Sequence, residues 1–322
     1  MIYGFYNNVI ESIRCGGRVM GGNGSECGGS GRHGAGPITP ITVRQGAFAF
    51  AEDTPAHWIP HAPEFAQMVN GASFVMPHLE PFLVATLGEA AKLIADPAVR
   101  REARDFCMQE TQHYRTHRRF NDVLLGQGYE SLAAVEAEMA AAYARLLERP
   151  LAVRLAYAAG FEAMTLGLTD WLVGNRVELF RGADPRVTSF ILWHMVEETE
   201  HKLVAHDVYE VVSPGYWRRA AGVLHGSLDV IRWSRRCYRA LLQRDGRWRR
   251  PISRIKVWWW AARFLLGAGP AVLRALVPGH DPRMMKDHPW VREWIAGHAR
   301  QETRGAPMPL IDTQSAAMPV PF

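Results

Sequence analysis

Two short stretches of the chain read Glu-x-x-His: Glu110-Thr-Gln-His113 and Glu198-Thr-Glu-His201. Residues three apart on a helix project about 60° apart around its axis, so the carboxylate and imidazole of each stretch can reach one cation together. The spacing alone carries little, because twenty Glu and thirteen His in 322 residues give roughly one such match by chance. Their surroundings carry more. Glu80 stands before the first stretch and Glu162 before the second, so the chain reads Glu…ExxH…Glu…ExxH. The flanks of the two stretches (Phe106 and Met108; Ile191, Leu192 and Trp193) are apolar, and Glu162 sits among Ala158, Ala159, Phe161 and Met164. An unpaired carboxylate in such company is costly, which favours a metal.

One glutamate from each of two helices and one Glu-x-x-His from each of two others is the donor set with which four-helix ferritin-like bundles hold two iron or manganese ions. Carboxylates bridging the ions offset their charge inside an apolar bundle. Carboxylate plus imidazole with open positions suits iron(II) and oxygen chemistry. Helical phase refines the set. With Glu110 at zero and about 100° per residue, His113 falls near 300° and His117 near 340°; with Glu198 at zero, His201 falls near 300° and His194 near 320°. His194 and His117 are therefore either ligands or hydrogen-bond partners behind a ligand. Glu197 lies about 100° off the Glu198 stripe and Glu200 is also off it, so both are expected outside the first ring of donors. Asp105, Asn121, Asp170 and Asp207 read as caps, salt bridges or orienting groups.

These donors need helices, and the punctuation supplies them. Asp96-Pro97 and Asp184-Pro185 each combine an N-cap acid with proline at the first helical position. The first predicts a helix to Gly126/Gly128 and the second a helix ending before Ser213-Pro214-Gly215. A segment after Pro63 runs towards Asp96 with a kink at Pro77 and Pro81. Ser131 is a candidate cap for a shorter helix to about Glu148, and another helix is expected from Leu151 to Gly182. No stretch alternates long enough to demand a sheet, so the expected class is all-α.

At 48% hydrophobic and 21% charged the chain is neither disordered nor a disulfide scaffold. Cys15, Cys27, Cys107 and Cys237 form no CxxC pair, which fits a reducing compartment and excludes a zinc ribbon. The N-terminus, with Glu11 and Arg14 in its apolar stretch, makes a poor signal peptide, and a cytoplasmic setting is expected. Residues 1–40 read as a glycine-rich tail; the GxGxxG match at Gly29, Gly31 and Gly34 has no strand before it and is accidental. Residues 41–214 are expected to form the bundle, 215–300 a C-terminal helical layer and 301–322 a loose tail. The net charge of +5 conceals an asymmetry: residues 215–280 carry fourteen Lys/Arg against Asp229 and Asp245, and six of the eleven tryptophans. That footprint fits an anionic membrane surface; no nucleic-acid motif accompanies it. The apolar run Val257 to Val277 is too interrupted by Arg263, Gly267, Gly269, Pro270 and Arg274 to read as a membrane span.

Over about residues 40–290 the sequence resembles a family of ferritin-like proteins described as predicted metal-dependent hydrolases. The resemblance rests on Trp58-Ile-Pro, Met76-Pro-His-Leu-Glu80-Pro-Phe, and Gln109-Glu110-x-x-His113-x-x-x-His117-x-x-x-Asn121. It continues through Phe161-Glu162, Trp193-His194-x-x-Glu197-Glu198-x-Glu200-His201 and His206-Asp207-Val208-Tyr209. It implies Glu80, Glu110, His113, Glu162, Glu198 and His201 as metal ligands. The His194-x-x-x-Glu198-x-x-His201 stripe is also similar, locally, to the extra-histidine site of di-iron arylamine N-oxygenases. The expected function is therefore a di-iron oxidase or oxygenase, with O2 and an electron donor as co-reactants and a lipophilic or aromatic amine substrate. The alternative is a two-metal hydrolase, in which manganese or zinc could replace iron and Glu197 would be the general base. A third reading is a non-enzymatic metal-binding or redox-sensing bundle.

Overall fold

The computed structural model describes residues 41–300 and 307–322; the glycine-rich segment and its GxGxxG match lie outside them. Among the described residues all regular secondary structure is helical: α1 Pro63–Ser73, α2 Met76–Ala90, α3 Pro97–Gly126, α4 Leu132–Leu147, α5 Leu151–Gly174 and α6 Arg176–Phe180. Then follow α7 Pro185–His201, α8 Val204–Val212, α9 Tyr216–Arg244, α10 Pro251–Ala275 and α11 Pro289–Arg300.

Both Asp-Pro starts behave as caps. The Asp96 carboxylate accepts from the Ala98 N–H, and Asp184 from the N–H groups of Arg186 and Val187. Helix α3 shows why these segments fold as they do. Val99, Ala103, Phe106, Glu110, His113, His117, Phe120 and Leu124 recur at three- and four-residue steps and all are buried. One seam thus has apolar ends and a polar centre, and the apolar ends supply the burial, about 1.5–3 kcal/mol per large side chain. Helices α2, α3, α5 and α7 form the four-helix bundle, with α2 packed on α3 and α5, and α7 on α5 and α3.

Three expectations about continuity change. The segment after Pro63 is two helices, because Pro77 sits in the first turn of α2 and starts it, while Pro81 is accommodated inside it. The Leu151 segment ends at Gly174, with α6 as a separate short helix. The α7 helix stops at His201, and its expected continuation is a distinct helix, α8.

The C-terminal layer is fused to the bundle. A Cβ on Gly222 of α9 would lie 2.0 Å from the Ala156 carbonyl oxygen, and one on Gly160 of α5 would lie 2.2 Å from the Gly222 carbonyl oxygen. Glycine is required because the two backbones touch. Helix α10 seals the next turns of α5, where a Cβ on Gly267 would strike the Trp171 ring. Helix α5 is long and apolar enough to cross a membrane, but 72% of its apolar window is buried inside the molecule, as befits the bundle's inner helix. Residues 307–322, expected to be loose, instead strap the start of α7. Ile311 N–H donates to Ser189 Oγ (2.8 Å), Gly182 N–H donates to the Thr313 carbonyl (2.9 Å), and Met318 is fully buried. The apolar side chains of Ile311 and Met318 outweigh the polar composition on which the expectation rested.

Candidate metal centre

The four bundle helices bring the expected donors together in two buried groups. Ligand atoms of Glu110, His113, Glu198 and His201 all lie within 4.8 Å of one another, and so do those of Glu80, His117 and His194. Glu162 stands outside both groups, yet its charged neighbours are Glu198, Glu110, His113 and Glu80, so it faces the same space.

The surrounding hydrogen bonds assign the imidazole tautomers. His113 Nε2 is 2.8 Å from Glu197 Oε2, and His201 Nε2 is 2.6 Å from Gln109 Oε1. Each N–H donates outward to a fixed oxygen, and each Nδ1 turns inward. His113 Nδ1 lies 3.5 Å from Glu198 Oε1, and His201 Nδ1 lies 2.9 Å from Glu110 Oε1, without forming aligned hydrogen bonds. A second chain fixes His194. Ser73 Oγ–H donates to Asn121 Oδ1 (2.7 Å), so His117 Nδ1–H must donate to Ser73 Oγ (2.8 Å). His117 Nε2 then accepts from His194 Nδ1–H (2.9 Å). That leaves a lone pair on His194 Nε2, 2.8 Å from Glu198 Oε1 and 3.5 Å from Glu80 Oε1.

The result is a knot of inward-facing acceptors. Both oxygens of Glu80, Glu110 and Glu162, Oε2 of Glu198, and Nδ1 of His113 and His201 are buried without hydrogen-bond partners. Native interiors rarely leave so many polar atoms unsatisfied in one place. Hard oxygen and imidazole donors without a thiolate suit a divalent ion, which would satisfy them together. Electrostatics agree. Burial, and then the neighbouring carboxylates, push the Glu80 and Glu162 carboxyls well above their usual range. Burial opposes ionisation of Glu110 and Glu198 too, but their histidine neighbours hold both below it.

Behind the donors lies a network the sequence did not announce. Arg44, buried and outside any helix, donates Nη1 to Glu197 Oε1 (3.0 Å) and clamps Glu200 through Nη1–Oε2 (2.8 Å) and Nη2–Oε1 (2.9 Å). Glu200 also accepts from Gln109 Nε2 (2.9 Å). One guanidinium therefore anchors both inward-facing histidines, through Glu197 to His113 and through Glu200 and Gln109 to His201. Burial works against its charge, but Glu200 and Glu197 outweigh that and push its pKa up. This differs from the expected part of Glu197: with one oxygen on Arg44 and the other on His113, it orients the His113 imidazole and is not a free carboxylate. Helical phase was the available signal for Glu200, since a glutamate turned away from the stripe in a buried helix needs a partner.

A cavity of about 190 Å³ reaches the centre, with His117, His194 and Glu198 at its inner end and Phe161, Met164, Leu168, Ile191 and Met195 among its walls. A larger open cleft of about 660 Å³ beside Gln112, Arg115 and Arg119 is lined by none of the proposed ligands.

Fold and site together define a helical-bundle protein with a buried carboxylate–histidine centre able to hold metal. The chain belongs to the predicted metal-dependent hydrolase family, whose model matches residues 42–287. No curated protein and no solved structure matches the chain, and the local likeness to arylamine N-oxygenases gains no support from the comparisons.

Proposed function

We propose that the chain is a dinuclear metal enzyme that hydrolyses an apolar ester or amide. The metal part is carried by one observation, the convergence of buried, unpartnered carboxylate and imidazole atoms on one space. The hydrolytic part is supported by the family description. Glu110, His113, Glu198 and His201 would hold one ion; Glu80 and His194, backed by His117, would hold the other. When bound, such a pair supplies Lewis acidity and an acidified water for attack on a carbonyl.

The chain's own residues do the rest. Glu197 and Gln109 keep Nδ1 of His113 and His201 pointed inward. His117, itself fixed by Ser73, keeps Nε2 of His194 inward. The apolar cavity excludes bulk water and aligns the substrate with its inner end. With Glu197 tied to Arg44, Glu162 is the carboxylate free to complete the coordination or to hold a proton at Oε1 or Oε2.

The second reading is oxidation of a lipophilic substrate or an aromatic amine by O2 on two iron ions. The thiolate-free donor set and the apolar lining of the cavity favour it. Metal analysis, O2 uptake and hydrolysis of aryl acyl esters, compared among wild type, Glu110→Ala and Glu198→Ala, decide the matter. Ester cleavage that needs metal and consumes no O2 supports hydrolysis. O2 uptake by the anaerobically iron-loaded chain on exposure to air supports the second reading. Wild-type protein that holds no more metal than the variants overturns both.

A further inference from the structure

Two helices of the C-terminal layer leave large apolar side chains in solvent, and the stripe on each includes a residue of the cavity wall. On α9, Trp217, Leu224, Leu228 and Ile231 recur at seven-, four- and three-residue steps and so share one face. Trp217 is 82% exposed and Leu228 62%, and Ile231 is part of the cavity wall. On α10, Trp258 and Leu265 stand three before and four after Ala261, another wall residue, and are 68% and 57% exposed; Leu266 beside them is 79% exposed. Exposed apolar side chains are ordinary when scattered, but aligned stripes that each include a residue of one cavity wall mark an interaction surface.

The charge of the same helices selects the partner. Arg235, Arg239 and Arg254 are exposed beside the stripes and form no ion pair among the described residues. The two acids of the segment are already engaged. Asp245 accepts from Gln67 and Tyr129 and pairs with His57, while Asp229 accepts from Tyr157. Asp229 also lies 3.7 Å from Arg232, so neither acid of the segment is left to offset Arg235, Arg239 and Arg254. Tryptophan and leucine projecting from an arginine-rich helical surface match an anionic bilayer, in which the rings settle at the headgroup level and the guanidinium groups meet lipid phosphates. A nucleic acid would use the charge but leave the leucines without a partner.

We infer that the α9–α10 face docks on an anionic membrane and that the cavity, which Ile231 of α9 and Ala261 of α10 help to line, admits a lipid chain from it towards His194. The cavity, at about 190 Å³, is smaller than the roughly 300–1,000 Å³ of pockets that enclose a drug-sized ligand. It therefore suits a slim aliphatic chain. The docking stands on its own; the lipid as substrate rests on the enzymatic reading of the metal centre.

Full-length protein is mixed with vesicles of phosphatidylcholine alone or with about one-third phosphatidylglycerol, and sedimented. Wild type should sediment with the anionic vesicles and at least about tenfold less with the neutral ones, with a share of the binding surviving high salt because the apolar stripes are inserted. The triple variant Trp258→Glu, Leu265→Glu, Leu266→Glu should lose binding while keeping wild-type metal content, melting temperature and turnover of a short soluble ester. Equal sedimentation with both vesicle types overturns the docking. So does a folded triple variant that still binds, self-association that buries the same side chains, or a duplex DNA that binds more tightly than the vesicles. Parinaric acid, a fluorescent fatty acid, tests the cavity: it should bind wild type and the triple variant alike, and at least about tenfold more weakly to Leu168→Trp. Equal binding to Leu168→Trp overturns the lipid-chain assignment while leaving the metal reading intact.

Discussion

Arg44 and Glu200 form a two-pronged ion pair sealed from solvent, Nη1 to Oε2 at 2.8 Å and Nη2 to Oε1 at 2.9 Å. Trp294 of α11 lies beneath the guanidinium, 5.4 Å from it. A pair so deeply desolvated is not retained for stability alone, since apolar replacements often do as well. Here it holds two oriented histidines in place.

Arg44→Met should therefore do two separable things. It leaves Glu197 and Glu200 buried without their cation, at a cost of about 3–5 kcal/mol. It also lets the His113 and His201 rings turn, weakening metal binding about 10- to 100-fold. Denaturant melts of the chelated protein read the first and metal titration the second. Unchanged metal affinity in a folded variant would remove the anchoring role.

The His117–His194 pair predicts a stoichiometry. His194→Ala should bind one metal equivalent where wild type binds two, while Ser73→Ala should keep both at reduced affinity because only the brace behind His117 is lost. Metal analysis after desalting is the measurement. Two equivalents in a folded His194→Ala would assign the second ion elsewhere.

The titration of the metal-free chain has a definite sign. The Glu80 and Glu162 carboxyls are raised above the ordinary 4.5 by burial and by other carboxylates. Their contribution is complete below 4.5 and is lost as the pH rises through the raised values. His113 is raised above 6.5 by Glu110, Glu197 and Glu198 against the effect of burial, and it adds a further loss on the alkaline side. Glu110 and Glu198, held low, are lost only as the pH falls below 4.5. Chelated protein should therefore melt at lower temperature as the pH rises from about 5 to 8. Metal-loaded protein should gain, because binding requires deprotonated ligands. Parallel profiles with and without metal would argue against a metal centre.

Gly222→Leu should cost more than the about 1–3 kcal/mol typical of an overpacked core, because its side chain would meet the Ala156 carbonyl and not a mobile side chain. Thermal denaturation checks this, with Gly269→Leu as the control, since a Cβ there meets nothing.

Much of the site was legible because metal chemistry constrains residue type and spacing at once. The order Glu80, Glu110/His113, Glu162, Glu198/His201 could be read from the chain, and helical phase added His117 and His194. Helix starts were legible where a cap and a proline coincide, as at Asp96 and Asp184. Arg44 was not, because it lies in an irregular segment where periodicity says nothing, and its partners are about 150 residues away. Helix ends were less readable than starts. Nothing in the composition around Lys202 marks the stop after His201, and the strap at 307–322 is held by a few buried side chains spaced irregularly.

The abutting backbones at Ala156, Gly160 and Gly222 also limit how the centre can move. Neither α5 nor α9 can slide along the other without one main chain colliding with its neighbour, so Glu162 rides on a fixed rail. With the backbone held there, rotation about its own side-chain bonds is what moves that carboxylate. On α7, packed against the same α5, the path of the chain breaks just beyond His201.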